Sequence, residues 1–473
     1  MGEIQIILFI IAIIAGLYMA WNIGANDVAN AIGTSVGSGA LKLSTAVCIA
    51  AIFEFSGAFF FGSHVTDMIQ EGIVNPSVFT HDPTTFVLGM LSALIASGLW
   101  LQVASYYGWP VSTTHSIVGA VVGFGLVIGG TSSIHWKNIL YISSAWVFSP
   151  IIGGFLSYFI FNLLRKYIFY APCPVTAAKL LTPKIVFVFI STLGVILTLN
   201  GLKNSSLQLT GFESLLISLL LGVFGFIISK TFVNRIKTPP SEFNVVNEYS
   251  PEAITSLQKA YKHLKSVRKE TKGEAAYKIT QILNNVERIT KELNKRELVG
   301  SVDYASVEKI FARLQVMSAC TMAFAHGAND VANAIGPLAA AVSVLSTNAI
   351  TLGPMEIPTW TLALGGFGIV LGLSTYGWKV IETVGKKITE LTPSRGFSAE
   401  FGAALTIVLA SRFGLPVSTT HILVGSVLGV GLARGLEALD LSTTKDIVIS
   451  WVITVPAGAF FSIICYYALK LFF

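Results

Sequence analysis

Gly24-Ala-Asn-Asp-Val-Ala-Asn-Ala-Ile-Gly33 recurs without change as Gly327-Ala-Asn-Asp-Val-Ala-Asn-Ala-Ile-Gly336. A second string, Pro110-Val-Ser-Thr-Thr-His115, recurs as Pro416-Val-Ser-Thr-Thr-His421. We call them the Asn-Asp string and the hydroxyl string. From the first asparagine of one to the histidine of the other, the separation is 89 positions in one copy and 92 in the second. Because both strings recur in the same order at nearly the same separation, we infer an internal duplication into two related halves.

The composition around these strings is that of a membrane protein. The 473 residues are 53% hydrophobic and 12% charged, with a mean hydropathy of +0.71, whereas about a quarter of residues are charged in soluble domains. The net charge of +6 therefore reflects the placement of basic residues between membrane spans and does not indicate nucleic-acid binding. The four cysteines lack any paired spacing, which argues against a disulfide framework, a zinc site or a redox pair.

Apolar stretches, compared with the ~20 residues that cross a bilayer, predict about 12 transmembrane segments, some of them broken or re-entrant helices. The expected fold is an all-α integral membrane protein with two inverted-topology repeats. It divides into a first membrane repeat, two additional transmembrane helices, a cytoplasmic amphipathic helical insert and a second, inverted repeat, at residues 1–165, 166–233, 234–308 and 309–473.

The expected inversion follows from the number and charge of the connecting segments. Seven predicted spans precede the second repeat, so its first span crosses in the direction opposite to that of the first repeat. Lysines and arginines concentrate in alternate loops, and the positive-inside rule then places both termini outside and residues 234–308 in the cytoplasm. Inverted repeats are characteristic of secondary transporters, so transport is the expected class of function.

The insert contains 13 Lys or Arg and 10 Asp or Glu between residues 234 and 308. Apolar residues recur at helical spacing on both sides of Lys272-Gly273, which predicts two amphipathic helices. A hairpin packed on itself or on the membrane domain is the favoured interpretation. A binding site for a regulatory partner is the alternative.

The Asn-Asp strings carry aspartates into apolar surroundings. An aspartate at the centre of a membrane helix costs about 2.5–3.5 kcal/mol on insertion scales, so Asp27 and Asp330 require compensation. A small cation such as sodium, held by carboxylate, amide and backbone oxygens, provides it; protonated or helix-capping carboxylates are the alternative. Gly24 and Gly327 precede the polar run, and we expect the helix to unwind there. The candidate sodium ligands are Asn26, Asp27, Asn30, Asn329, Asp330 and Asn333.

The hydroxyl strings have the chemistry of an anion site. A proline that starts a helix is followed by three hydroxyls, and a helix N-terminus also presents free backbone N–H groups. Simple helix capping by serine or threonine is the alternative. We expect His115 and His421 to support the site from outside the ligand contacts. The six hydroxyls that two such strings offer to a tetrahedral oxyanion belong to Ser112, Thr113, Thr114, Ser418, Thr419 and Thr420.

Two glutamates also lie within apolar runs, and intramembrane acidic groups are functional candidates by default. Glu54 and Glu400 are therefore additional candidate sodium ligands. Glu400 lies near a predicted span boundary, where a side chain that reaches the membrane surface is the alternative. Gln315 is a further, weaker candidate.

The duplicated strings resemble those of the inorganic phosphate transporter (PiT) family, whose members couple orthophosphate uptake to sodium ions or protons. The resemblance covers residues 1–235 and 305–473. It implies an inverted-repeat symporter with phosphate at the centre and hydroxyl loops at 112–114 and 418–420. The family's cation and phosphate motif falls on Asn26, Asp27, Asn329 and Asp330. Of these, Asp27, Asn329 and Asp330 are expected to contact phosphate as well as sodium. Glu54 and Glu400 resemble acidic residues that are important in eukaryotic members. Met90 departs from the pattern, since some members have a glutamate there.

The expected function is sodium-coupled symport of inorganic phosphate by alternating access in the cell membrane. We expect no enzyme activity and no cofactor, with phosphate, co-transported sodium ions and the lipid bilayer as partners and a homodimer as a candidate assembly. Coupling to protons, transport of metal-phosphate complexes and transport of sulfate are the alternatives within the same class. A membrane-embedded, metal-dependent phosphoesterase is a less favoured alternative, because oppositely oriented copies fit such an enzyme poorly.

Overall fold

The computed structural model describes residues 2–198, 209–236, 251–350, 357–384, 389–435 and 439–473. Within these ranges the fold is all-helical, and the only strand-like pairing is an isolated bridge between Val74 and Ile134. This agrees with the predicted all-α class. Helices before the insert are α1 (Glu3–Gly37), α2 (Leu43–Phe61), α3 (Ser63–Gln70), α4 (Pro83–Tyr107), α5 (Thr113–Phe124), α6 (Trp136–Leu164), α7 (Pro174–Thr198) and α8 (Gly211–Asn234).

The remaining helices run from the insert to the end of the chain. They are α9 (Pro251–Glu270), α10 (Gly273–Thr347), α11 (Thr359–Thr375), α12 (Trp378–Glu382), α13 (Pro393–Arg412), α14 (Thr419–Arg434) and α15 (Leu441–Lys470). The turn between α9 and α10 contains Gly273 with a left-handed φ of 69°. α10 is 75 residues long and continues from the insert into the second Asn-Asp string, so residue 308 is not a helix end.

Eight helical segments of the described chain are long and apolar enough to cross a bilayer: Glu3–Gly37, Leu43–Phe61, Pro83–Tyr107, Trp136–Phe169, Pro174–Thr198, Gly211–Asn234, Tyr304–Thr347 and Thr444–Lys470. Three shorter apolar helices are Thr113–Gly129, Thr359–Thr375 and Thr419–Arg434. Exposed apolar side chains such as Phe212 and Phe224 of α8 suit contact with lipid. These helices support a multi-pass membrane protein, while the total of about 12 spans stays a prediction.

The chain forms two compact units. One comprises residues 162–188 and 223–311 and thus contains the insert; within it the ring of Phe169 packs 5.4 Å from Tyr304 and 6.2 Å from Phe311. The other comprises residues 1–161, 189–222 and 312–473. Both copies of each repeated string lie in this second unit, which therefore contains every predicted site residue.

The expected unwinding at Gly24 and Gly327 is wrong, because both residues lie inside continuous helices. The glycines serve helix crossing instead. A Cβ at Gly24 would lie 2.0 Å from the carbonyl oxygen of Ile369 in α11, and one at Gly327 would lie 2.1 Å from that of Glu54 in α2. Small residues allow such close backbone approach between membrane helices. Non-helical backbone occurs instead at residues 109–112 and 415–418, immediately before α5 and α14.

Candidate functional site

The first asparagine of each Asn-Asp string anchors the chain that leads into the hydroxyl string of its own half. Asn26 Nδ2 donates to Ser105 Oγ at 2.9 Å and to the carbonyl oxygen of Trp109 at 3.2 Å. The second half repeats both contacts, at 2.9 and 3.2 Å, with Asn329, Ser411 and Leu415. Each helix break is therefore positioned by the repeated asparagine that packs against it.

The second asparagine of each string reaches the hydroxyl string of the opposite half. Asn30 Nδ2 donates to Thr420 Oγ1 at 2.8 Å, and Thr420 Oγ1 lies 3.1 Å from Asp27 Oδ1. In the other half Asn333 Nδ2 donates to Thr113 Oγ1 at 3.2 Å, and Thr113 Oγ1 lies 3.3 Å from Asp330 Oδ2, so the neighbouring threonine of the string makes the bridge there. Each threonine thus bridges an asparagine and an aspartate of the other half, so the two copies meet in one buried site.

The two hydroxyl strings also contact each other. Thr114 Oγ1 donates to the carbonyl oxygen of Val417 at 2.9 Å, and Thr420 Oγ1 lies 3.2 Å from that of Val111. Thr419 Oγ1 donates to Asp330 Oδ2 at 2.7 Å. Asp330 therefore has contacts with threonines from both hydroxyl strings.

The serines of the hydroxyl strings have a different position from the threonines. Ser112 Oγ accepts from the backbone N–H of His115 at 3.1 Å, and Ser418 Oγ accepts from that of His421 at 3.2 Å. These are N-cap hydrogen bonds that start α5 and α14. The six predicted hydroxyls thus divide into two capping serines and four threonines grouped around the aspartates and asparagines.

His115 and His421 lie behind the hydroxyl strings and contact each other, with ring centroids 4.4 Å apart. His115 packs on Trp146 at 3.9 Å and His421 stacks on Trp451 at 3.7 Å. Both rings are buried among aromatic side chains of α6 and α15. This position suits the expected supporting role.

His326 is a site residue that was not predicted from the sequence. Its Nδ1 lies 3.2 Å from Glu54 Oε1, and its Nε2 lies 3.2 Å from Asp330 Oδ2 and 3.6 Å from Asp27 Oδ2. Ligand atoms of Asp27, His326 and Asp330 all lie within 4.8 Å of one another. The signal was a histidine inside an apolar helix, one residue before the repeated string.

Glu400 forms a separate buried cluster with different partners. Thr34 Oγ1 and Ser35 Oγ of α1 each donate to Glu400 Oε1 at 2.5 Å. From α10, Ser318 Oγ donates to Oε2, and Gln315 Nε2 donates to Oε1 at 3.3 Å. Thr34, Ser35 and Ser318 were not predicted from the sequence. Thr34 follows Asn30 by one helical turn, so a search for polar residues continuing that helix face would have found it.

Several buried oxygen atoms of the site accept no hydrogen bond from any described residue. On the Asn-Asp strings they are Asp27 Oδ2, Asn329 Oδ1, Asp330 Oδ1 and Asn333 Oδ1, and both carboxylate oxygens of Glu54 are in the same condition. A buried polar atom without a partner normally has an explanation, such as a bound ion or water. Carboxylate and amide oxygens are the ligands that hard cations prefer. These residues therefore fit a small hard cation.

An all-helical membrane protein in which repeated strings converge on one buried polar site has the architecture of a secondary transporter. The pattern of the phosphate transporter family matches residues 23–462 of this chain. The chain belongs to that family, which confirms the predicted relationship. Because members of the family are transporters, the prediction that the chain is not an enzyme is also confirmed.

Individual relatives extend over nearly the whole chain. The chloroplastic inorganic phosphate transporter 2-1 of Arabidopsis thaliana is 45% identical over 452 residues, which are 95% of this chain and 70% of the relative. A protein of Chlamydia pneumoniae described as a phosphate permease is 45% identical over 98% of this chain and 99% of its own. The solved structure of a sodium-dependent phosphate transporter matches with a TM-score of 0.80 and 38% identity, over 98% of this chain and 100% of the other.

Proposed function

We propose that this protein is a symporter that couples the movement of inorganic phosphate to sodium ions by alternating access. The observation that carries the proposal is the convergence of three threonine hydroxyls, from both hydroxyl strings, on two aspartates, beside buried oxygens that lack a donor among the described residues. The site thus combines groups for an anion with groups for cations. The sodium dependence of the structurally similar transporter supports sodium as the coupling ion.

The hydroxyl strings would bind phosphate. Thr113, Thr114, Thr419 and Thr420 occupy the first two positions of α5 and α14 and are buried, so two helix starts would offer their hydroxyls and N–H groups to one anion. Helix N-termini favour anions because their N–H groups are unpaired and the helix dipole is positive there. Ser112 and Ser418 would act by shaping these helix starts, since their hydroxyls already cap them.

The Asn-Asp strings would bind sodium. Asp27 with Asn26 and Asn30 forms one group of ligands, and Asp330 with Asn329 and Asn333 forms the other. Phosphate beside two carboxylates is repelled unless cations neutralise the cluster. Sodium binding and phosphate binding therefore depend on each other, and this mutual dependence couples the transport of phosphate to that of sodium.

Glu400 is proposed as a ligand of a further sodium ion. Its carboxylate has hydroxyl groups of Thr34, Ser35 and Ser318 around it, all with oxygens that a cation accepts as ligands. The cluster lies one helical turn beyond Asn30 along α1.

The orientation follows from the distribution of lysines and arginines, and places both termini outside and residues 234–308 in the cytoplasm. The matched contacts of the two Asn-Asp strings support the inverted repeat, in which one half rocks against the other around the site. The cell membrane is the proposed location, and a homodimer is the proposed assembly.

The test is uptake of radiolabelled phosphate into proteoliposomes that contain the purified protein. An inward sodium gradient is compared with an equal choline gradient, with an inward proton gradient and with excess unlabelled sulfate. We expect uptake only with sodium and little competition by sulfate. Uptake that is driven equally by protons without sodium would contradict the proposed coupling ion.

A further inference from the structure

Helix α1 crosses α11 beside the site, and α10 crosses α2 at the equivalent position of the other half. The side chains at the two crossings differ in polarity. Gly24 and Gly327 occupy the same position of the Asn-Asp string. A Cβ at Gly24 would meet the carbonyl group of Ile369, and a Cβ at Gly327 would meet that of Glu54. Ile369 of α11 and Glu54 of α2 are therefore counterparts in the two halves.

The residues that precede the two glycines differ in the same way. Ile23 precedes Gly24, whereas His326 precedes Gly327. The isoleucine pair, Ile23 and Ile369, thus corresponds to the polar pair, His326 and Glu54. All four residues have a relative exposure of 0%. One half of the molecule places an apolar pair at this crossing, and the other half places a histidine with a glutamate.

Packing alone does not require the polar pair, because isoleucines fill the equivalent crossing in the other half. A buried polar pair carries a desolvation cost, and replacing such pairs with apolar side chains often leaves stability unchanged or raises it. We therefore infer that the role of His326 depends on the side chains that its ring contacts. Its two nitrogens face carboxylates in opposite directions, Glu54 from Nδ1 and the two aspartates from Nε2.

The two aspartates differ in how firmly they are held. Asp330 Oδ2 has Thr113, Thr419 and His326 within 3.3 Å, and its Oδ1 has no donor among the described residues. Asp27 Oδ1 has the Thr420 hydroxyl at 3.1 Å and Asp27 has that of Thr113 as a second hydroxyl neighbour, while the ring of His326 lies farther from it than from Asp330, at 3.6 Å. One oxygen of Asp330 is thus fixed while the other stays available for a ligand.

We propose that His326, anchored by Glu54, is a positioning residue that fixes the Asp330 carboxylate and makes the two sodium sites unequal. The Asp330 site is preorganised and binds sodium more tightly, whereas the Asp27 site is completed by later ligands. Glu54 acts on sodium through His326 and is not itself a ligand. This inference rests on the proposed sodium-coupled function. Preorganised ligands bind more tightly because less ordering cost is incurred on binding.

The test replaces the polar pair with its apolar counterpart in a His326→Ile, Glu54→Ile double variant. Sodium dependence of phosphate uptake is measured in proteoliposomes with saturating phosphate. We expect the sodium concentration for half-maximal uptake to rise about tenfold, within the usual range of coupling between sites, while the maximal rate changes less than about twofold. A merely structural role would lower the maximal rate and leave the sodium dependence unchanged.

Three further proteins complete the experiment. Ile23→Val at the equivalent crossing is the matched control and keeps the wild-type sodium dependence. His326→Ile alone leaves Glu54 without its partner and lowers thermal stability more than the double variant does. Glu54→Gln keeps nearly the same side-chain size and provides the readout if the double variant does not fold. We expect its half-saturating sodium concentration to rise about fivefold.

The outcomes separate the inference from the proposed function. If wild-type protein shows no sodium-driven phosphate uptake, the proposed function fails. If the wild type transports normally and both the double variant and Glu54→Gln retain its half-saturating sodium concentration within twofold, the positioning role of His326 is overturned.

Discussion

Glu54 and Glu400 are both fully buried, and the protein surrounds them with opposite kinds of partner. The carboxylate of Glu54 faces the ring of His326, with Oε1 at 3.2 Å from Nδ1. Glu400 accepts hydrogen bonds from hydroxyl and amide groups of α1 and α10. One carboxylate is tied to another titratable side chain, and the other is surrounded by neutral donors.

The difference bears on which glutamate can bind an ion. A hydroxyl group is both donor and acceptor, so Thr34, Ser35 and Ser318 can rotate and present oxygens to a cation beside Glu400. An imidazole whose nitrogens both face carboxylates has no equivalent freedom. We therefore assign Glu400 to ion binding and Glu54 to the positioning of His326, although both glutamates have the same sequence signal.

The largest effect on transport is expected at the two aspartates of the central site. Asp330→Asn and Asp27→Asn should each reduce sodium-driven phosphate uptake about hundredfold, because truncating a buried charge partner costs about 3 kcal/mol. Uptake into proteoliposomes measures the loss, and size-exclusion chromatography with thermal unfolding checks that the protein is folded. Wild-type uptake rates in either variant would contradict the proposal that these aspartates bind the transported ions.

The second prediction compares the two glutamates directly. Glu400→Gln should raise the half-saturating sodium concentration about 30-fold, because it removes the charge that offsets the ion while keeping the size of the side chain. Glu54→Gln serves as the matched variant, with a smaller rise of about fivefold. Should Glu54→Gln have the larger effect on sodium, the two assignments would have to be exchanged.

Sequence patterns predicted much of this arrangement because they are local and repeated. The strings identified the aspartates and asparagines, and the four-residue spacing of Asn26 and Asn30 is that of one face of a helix. The division of the hydroxyl strings into capping serines and bridging threonines depends on the conformation at 109–112 and 415–418, which composition does not specify.

Local sequence patterns did not predict the contacts between residues that are far apart in the chain. His326 meets Glu54 only because α10 crosses α2 at Gly327, and Glu400 meets Thr34 across 366 positions of sequence. The glycines themselves were misassigned as points of unwinding. A glycine that admits a neighbouring backbone and a glycine that breaks a helix have the same local signal, and only the partner helix distinguishes them.

A smaller effect is expected from a single hydroxyl of the Glu400 cluster. Ser318→Ala removes one donor and leaves Thr34 and Ser35 in place, so we expect a loss of about 1 kcal/mol and a rise of about fivefold in half-saturating sodium. Ser374→Ala is the matched control, since the exposed Ser374 hydroxyl donates to the carbonyl oxygen of Val370 in its own helix. An unchanged sodium dependence in Ser318→Ala would show that the cluster stabilises Glu400 without binding an ion.

The smallest effect on sodium dependence is expected at Gln315. A substitution there distinguishes a residue that only donates a hydrogen bond to Glu400 from one that supplies an oxygen ligand to the ion. Gln315 Nε2 makes the longest of the contacts to Glu400 described above, at 3.3 Å, while its Oε1 accepts from Ser38 at 2.6 Å. Gln315→Met keeps the length of the side chain and removes both contacts. Because the three hydroxyls remain, we expect half-saturating sodium to change less than about twofold, with a loss in stability of about 1 kcal/mol in thermal unfolding. A rise as large as that of Ser318→Ala would instead place the amide oxygen among the ion ligands.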